Sequence, residues 1–129
     1  MLTRWSNPIF FLCSFLLLSG CGTSKNNVIE KSKITFDLSK INEEGLIGNA
    51  DSWRSLDYEF CIPKGTRYEE EVKGIDPSVK ILVSSKGRIN CSDQQNLCIG
   101  NTHQKNYDSI LFRLAALDYV KRIDQCFYE

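Results

Sequence analysis

The longest run of apolar residues lies near the beginning of the chain, where positions 9–19 read IFFLCSFLLLS without a charged residue. Eleven helical residues rise only about 16 Å, roughly half of the ~30 Å thickness of a hydrocarbon core, so a stable membrane span is disfavoured. One positive charge, Arg4, precedes the run, and the small residues Ser19 and Gly20 follow it. This order is typical of a secretory signal peptide, which we predict over residues 1–20.

The next segment is polar. Positions 22–33, GTSKNNVIEKSK, contain only two apolar residues and show no periodic pattern. Such a segment buries too little surface to offset its ordering entropy. We therefore predict a flexible tether over residues 21–33 and a single folded domain over residues 34–129.

Apolar and polar residues alternate over residues 55–62, and this pattern predicts the first strand of the domain. Four apolar positions face one side and the polar side of the strand carries Asp57, Glu59 and Cys61; the apolar positions are Leu56, Tyr58, Phe60 and Ile62. A short helix to about residue 74 follows, with Thr66 and Glu69 at the spacing of a capping box.

Later patterns complete the predicted fold. Residues 79–84, VKILVS, predict a second strand, and residues 88–91 predict its returning partner after a turn at Lys86 and Gly87. Apolar residues recur at three- and four-residue steps over residues 106–123, which predicts a long C-terminal helix. The predicted class is α+β, a small and mostly antiparallel sheet with one long and one short helix.

The balance of charged residues disfavours one class of function, the binding of nucleic acid. The whole chain of 129 residues carries 16 Lys and Arg against 16 Asp and Glu, so no charge excess favours nucleic acid as a partner. We expect no nucleic-acid binding.

The residues at the end of the leader, Leu18-Ser19-Gly20-Cys21, resemble the lipobox of bacterial lipoproteins. The resemblance implies that Cys21 receives a diacylglyceryl thioether, that residues 1–20 are removed, and that the new amino terminus is often acylated as well. Two or three acyl chains hold a protein durably, whereas one gives marginal attachment at ~0.8 kcal/mol per buried CH2.

The same resemblance predicts the location. The protein is expected at a cell membrane or an outer membrane, lipid-anchored, with its domain outside the cytoplasm. Gly22 and not Asp follows the cysteine, which favours the outer membrane where a host has one. The alternatives are a soluble secreted protein, in which Cys21 only follows a cleavage site, and an uncleaved N-terminal anchor.

Four cysteines lie in the folded part: Cys61, Cys91, Cys98 and Cys126. Disulfides are the default for an even number of cysteines outside the cytoplasm, and each stabilises a small domain by ~2–4 kcal/mol. Of the three possible pairings, we favour Cys91 with Cys98 and Cys61 with Cys126. A structural zinc site and a redox dithiol are disfavoured, because neither tight cysteine pairs nor a Cys-x-x-Cys motif occurs.

His103 is the only histidine and lies in a polar segment, Gly100-Asn101-Thr102-His103-Gln104. Imidazole is suited to proton transfer near neutral pH, so an enzyme hypothesis starts here, with Cys61 or Glu59 as partner. A sensor of small molecules or anions would instead gather Arg88, Asn101 and His103 in one pocket.

Three short segments of the sequence resemble uncharacterised small lipoproteins of cyanobacteria. This resemblance implies no activity. The segments are Tyr58-Glu59-Phe60-Cys61-Ile62-Pro63, Gly87-Arg88-Ile89-Asn90-Cys91 and Cys98-Ile99-Gly100-Asn101-Thr102-His103-Gln104.

Together these observations predict a membrane-anchored envelope lipoprotein whose domain is a non-enzymatic binding or assembly-support module. Its partners are the membrane, through lipidated Cys21, and another envelope protein. No cofactor and no metal is expected. The alternative is a small envelope hydrolase or transferase using His103.

Overall fold

The computed structural model describes the backbone of residues 23–128 and the side chains of residues 28–128. Its helices and strands follow one another as α1 (Thr23–Lys33), β1 (Leu46–Ile47), β2 (Arg54–Ser55), β3 (Asp57–Pro63), α2 (Thr66–Ile75), β4 (Lys80–Leu82), β5 (Gln95–Asn101), α3 (Tyr107–Ala115) and β6 (Ile123–Gln125). A 3-10 turn, Leu38–Lys40, precedes β1. The predicted α+β class is confirmed.

Both sheets are antiparallel. The main sheet has four strands in the order β4-β5-β3-β6, and β1 pairs with β2 in a separate two-stranded sheet. Strands β3 and β5 form the centre of the main sheet through a seven-residue register from Asp57 opposite Asn101 to Pro63 opposite Gln95. The antiparallel sheet predicted from the alternating pattern is therefore present.

The alternation in β3 separates two faces of the main sheet. Leu56, Tyr58, Phe60 and Ile62 are all buried on one side, which we call the core face. Helices α2 and α3 contribute Val72, Leu111, Leu114 and Ala115 to the same hydrophobic core. Asp57, Glu59 and Cys61 lie on the opposite side, which we call the outer face.

The second half of the predicted C-terminal helix is wrong. Helix α3 ends at Ala115, and Ile123 begins β6 opposite Phe60. Val120 and Ile123 are fully buried, as the pattern required, but they reach the core from a loop and a strand. Apolar spacing reports burial, and over a short stretch it does not distinguish a helix from a loop that returns to the core.

Helix α1 corrects the expectation of a tether without regular structure, because Thr23–Lys33 is helical. At its end, Lys33 Nζ donates to the carbonyl oxygens of Ala115, at 2.7 Å, and Leu117, at 3.2 Å. The last carbonyls of a helix lack intrahelical donors and favour a cation. The end of α1 is therefore in contact with a part of the chain that is distant in sequence. The apolar pattern of residues 22–33 does not predict such a contact.

The predicted leader, residues 1–20, and Cys21, the predicted site of lipidation, lie outside the described residues. Within residues 23–128, no helix combines the length and the apolar character needed to cross a bilayer.

Two local predictions also differ. Residues 87–90 form a turn where a strand over residues 88–91 was predicted, and the strand that pairs with β4 is β5. The capping box is absent: Gly65 is the residue that caps α2, without a side-chain hydrogen bond. The amides of Tyr68 and Glu69 donate instead to the carbonyl oxygen of Gly65.

Candidate functional site

One disulfide joins Cys61 to Cys91, with 5.6 Å between their Cα atoms. Cys98 and Cys126 are free thiols. The prediction of a disulfide is confirmed, while the predicted pairing of Cys91 with Cys98 and of Cys61 with Cys126 is wrong.

The sheet explains why the predicted pairs do not form. Cys98 lies opposite Phe60 and is fully buried on the core face, whereas Cys61 is on the outer face. Cys126 donates its amide to the carbonyl oxygen of Asp57, four residues before Cys61. Four strand residues span about 13 Å, far beyond the Cα separation that a disulfide accepts.

The disulfide fixes a loop, residues 83–94, against the outer face. The amide of Ile89 donates to Glu59 Oε1 at 2.7 Å, and Glu59 is only 3% exposed. Gly87 turns the loop with φ of +63°, and a Cβ at this position would lie 2.8 Å from both Glu59 Oε2 and Leu97 Cδ1. A close approach and a left-handed conformation both require glycine there.

A groove of about 720 Å³ runs along the free side of β6. We call it the edge groove. Its lining residues are Thr35, Phe36, Asp37, Lys40, Ile47, Leu56, Glu59, Arg88, Arg122, Asp124, Gln125 and Phe127. It therefore combines apolar side chains, such as Leu56 on the core face, with charged side chains, such as Glu59 on the outer face.

Several charges of the edge groove are held in fixed positions. Arg122 Nε lies 2.9 Å from Asp124 Oδ2, and Thr35 Oγ1 donates to Asp124 Oδ1 at 2.9 Å. Hydrogen bonds from the side chain and backbone of Ser39 hold the pKa of Asp37 below its usual value. At neutral pH the carboxylate of Asp37 is therefore ionised beside the cationic side chain of Lys40.

The structure does not bring the three predicted binding residues into one cavity. Arg88 lines the edge groove, whereas Asn101 lines another cavity with Asp57 and Tyr128, and His103 lines neither. Asn101 Nδ2 donates to Ser55 Oγ at 3.0 Å and also to Asp57. The anion pocket expected from Arg88, Asn101 and His103 is therefore not formed.

The proposed catalytic partners of His103 are engaged elsewhere. Cys61 is in the disulfide, and Glu59 accepts the Ile89 amide. His103 is exposed, and its backbone amide donates to Asn101 Oδ1 at 2.8 Å. No hydrogen bond between the His103 imidazole and either partner occurs in the described part of the chain, so the expected catalytic pair is not assembled.

Sequence reasoning missed a buried polar cluster around Asp76, which is fully buried between α2 and β4. Asp76 accepts from the Tyr58 hydroxyl, from the Ser78 amide and hydroxyl at 2.9 and 2.7 Å, and from Gln104 Nε2 at 3.0 Å. These donors compensate for the burial of a carboxylate, which would otherwise be costly. In the sequence, Asp76 followed by Pro77 is typical of a turn and does not indicate a buried carboxylate.

The same cluster affects Tyr58 and Gly100. Burial, followed by the charge of Asp76, raises the pKa of Tyr58 well above its usual range, so its hydroxyl remains a donor. A Cβ on Gly100 would lie 2.5 Å from Asp76 Oδ2 and from the Tyr58 ring. The cluster therefore locks the sheet to the end of α2 and acts as a structural element.

Metal ligation finds no support among residues 23–128, where no group of three or more His, Cys, Asp and Glu side chains is arranged to hold an ion. Comparisons with protein-family models, curated proteins and solved structures found no match.

Proposed function

We propose that this protein is a lipid-anchored envelope protein whose domain binds another envelope component without catalysing a reaction. The observation that carries the proposal is the lipobox Leu18-Ser19-Gly20-Cys21 directly after a short apolar run. Acyl chains on Cys21 attach the chain to a bilayer surface, and residues 22–33 separate the anchor from the domain.

The covalent structure of the domain supports a place outside the cytosol. A disulfide between Cys61 and Cys91 persists in oxidising compartments and is rare where thiols are kept reduced. It holds the loop that carries Arg88 beside the edge groove. Lipid anchoring and the disulfide thus require the same side of the membrane.

The edge groove supports binding over catalysis. It is an open surface lined both by apolar side chains, such as Phe36 and Phe127, and by charged side chains, such as Arg122 and Asp124. His103, the side chain best suited to proton transfer, is not part of its lining. A groove of this composition recognises a partner by shape and by a few polar contacts.

The anchor is tested by expressing the full chain in a bacterial host and measuring the mass of its amino-terminal peptide. We expect cleavage before Cys21, a diacylglyceryl group on its sulfur, and release from membranes by detergent but not by salt. Cys21→Ser should abolish the modification, whereas Cys13→Ser, within the leader, should preserve it. An unmodified Cys21 on a chain that washes off in buffer would refute the proposal.

The binding role is tested by crosslinking in intact cells followed by mass spectrometry. A reproducible neighbour attached through residues of the edge groove is the expected result. Crosslinks confined to lipid, or substrate turnover that His103→Ala abolishes without changing the melting temperature, would contradict a binding module.

A further inference from the structure

The hydrogen-bond register of the main sheet determines where the backbone of β6 points. Thr102 donates its amide to the carbonyl oxygen of Leu56, the residue before β3, at 2.9 Å, so every second residue of β3, from Tyr58 onward, bonds toward β5. Cys126 donates to Asp57 at 2.8 Å, so the intervening residues bond toward β6. In an antiparallel pair, a residue that bonds inward is followed by one that points outward.

It follows that Gln125 turns its backbone away from the sheet. Asp124 lies opposite Glu59 and bonds inward, as Cys126 does. Between them, Gln125 directs its N–H and C=O to the free side of β6. Among the described residues, neither group forms a hydrogen bond with the backbone of another segment.

The chain covers only the first part of this edge. The amide of Thr35 donates to the carbonyl oxygen of Ile123 at 3.0 Å, and Ile34 forms a parallel bridge with Ile123. The chain then leaves in the 3-10 turn Leu38–Lys40. The remaining edge, at Gln125, opens into the edge groove.

The two walls of the edge groove match the two sides of an added strand. Phe36 and Ile47 pack against the hydrophobic core and lie on the core-face side. Phe127, which is 57% exposed, lies on the same side, because it follows by two residues Gln125, which is opposite Tyr58. On the outer-face side lie the charged residues Arg122 and Asp124. Successive side chains of a strand point to opposite faces, so such a strand would present apolar and polar residues alternately.

We propose that the edge groove binds an extended peptide segment of a partner protein, which pairs as an additional strand with the free edge of β6 at Gln125. Its apolar residues at every second position contact Phe36, Ile47 and Phe127. Main-chain hydrogen bonds to Gln125 supply affinity and the apolar wall supplies specificity. This deepens the proposed binding role and does not depend on the lipid anchor.

The test uses the full chain in mild detergent and a display library of random ten-residue peptides. The selected peptides should share apolar residues at every second position, and the best one is synthesised for titration. Gln125→Pro removes the outward N–H, and an outward position is where an edge strand tolerates proline. Gln125→Ala retains the N–H and is the matched control.

We expect Gln125→Pro to weaken binding at least tenfold and Gln125→Ala to change it less than threefold, at similar melting temperatures. Equal affinity for both variants would overturn the proposal, as would a selection that yields no alternating peptides. Self-association of this chain that Gln125→Pro abolishes, with an empty selection, would assign the edge to a second copy and equally overturn it.

If Gln125→Pro lowers the melting temperature, the selected peptide carries the test on the unaltered protein. Two versions are N-methylated on alternate amides, in the two possible registers. The register that bonds to Gln125 should lose at least tenfold in affinity, while the other keeps it. Retention by both would overturn strand addition. An unmodified Cys21 would leave this result unaffected, so the two proposals fail separately.

Discussion

The two faces of the main sheet are built from the same strands but are held by different interactions. On the core face, the side chains of Tyr58, Phe60 and Ile62 are fully buried under the helices. On the outer face, Glu59 is covered by a loop that a disulfide pins at Cys61. One face is closed by apolar packing, and the other by a covalent link and polar contacts.

This difference shows which part of a small domain supplies its stability and which part remains available as a binding surface. Apolar burial supplies free energy in proportion to area and requires close packing, so the packed centre of a core face offers no groove. A pinned loop covers part of a face and leaves its margin open. The edge groove lies at that margin, beside β6.

The largest expected effect is the loss of a core-face side chain. Phe60→Ala should lower the free energy of unfolding by about 3–5 kcal/mol, because it removes a fully buried ring and leaves a cavity. Ile99→Ala is the outer-face control, since Ile99 is partly exposed opposite Glu59, and should cost about 1 kcal/mol. Chemical denaturation monitored by circular dichroism measures both. Equal losses would break the comparison between the faces.

Removal of the disulfide should have the next largest effect and should act first on the outer face. For a sequence separation of 30 residues, the chain-entropy relation gives about 3–4 kcal/mol for the double change Cys61→Ser and Cys91→Ser. Amide exchange at Ile89 should accelerate, because the loop then opens locally, while exchange at Leu111 follows global unfolding.

Cys126→Ser is the matched control for the disulfide, because Cys126 is a free thiol that directly follows β6 of the same sheet. Its replacement should change the unfolding free energy by less than about 1 kcal/mol. Unchanged exchange at Ile89 in the double variant would show that the polar contacts of Glu59 hold the loop without the covalent link.

The sequence predicted most of the core face, because alternation over residues 55–62 reports both the strand and its buried side. It predicted neither the end of α3 nor β5. Leu117, Val120 and Ile123 continue a helical spacing even though the chain has left the helix, and Asn96 and Asn101 within β5 obscure its apolar pattern. In both regions, long-range packing decides the local structure.

The candidate site was less accessible to sequence reasoning than the fold. Arg88 was identified, but the edge groove combines it with residues as distant in the chain as Phe36 and Gln125. The cysteine pairing depends on which face each residue occupies, and only the register of β3 with β5 and β6 fixes that. The sequence alone does not distinguish the three possible pairings of the four cysteines.

The smallest expected effect concerns the two free thiols, whose reactivity distinguishes the faces without altering stability. Burial raises the pKa of Cys98 to about 12, and its thiol has no access to solvent. Burial and the charge of Glu59 also raise the pKa of Cys126, but this residue is partly exposed. Timed alkylation at pH 8, followed by peptide mass analysis, should therefore label Cys126 at least tenfold faster than Cys98. In urea without reductant the two rates should converge, because unfolding exposes both. If the native protein labelled Cys98 as fast as Cys126, the core face would be opening as readily as the outer face.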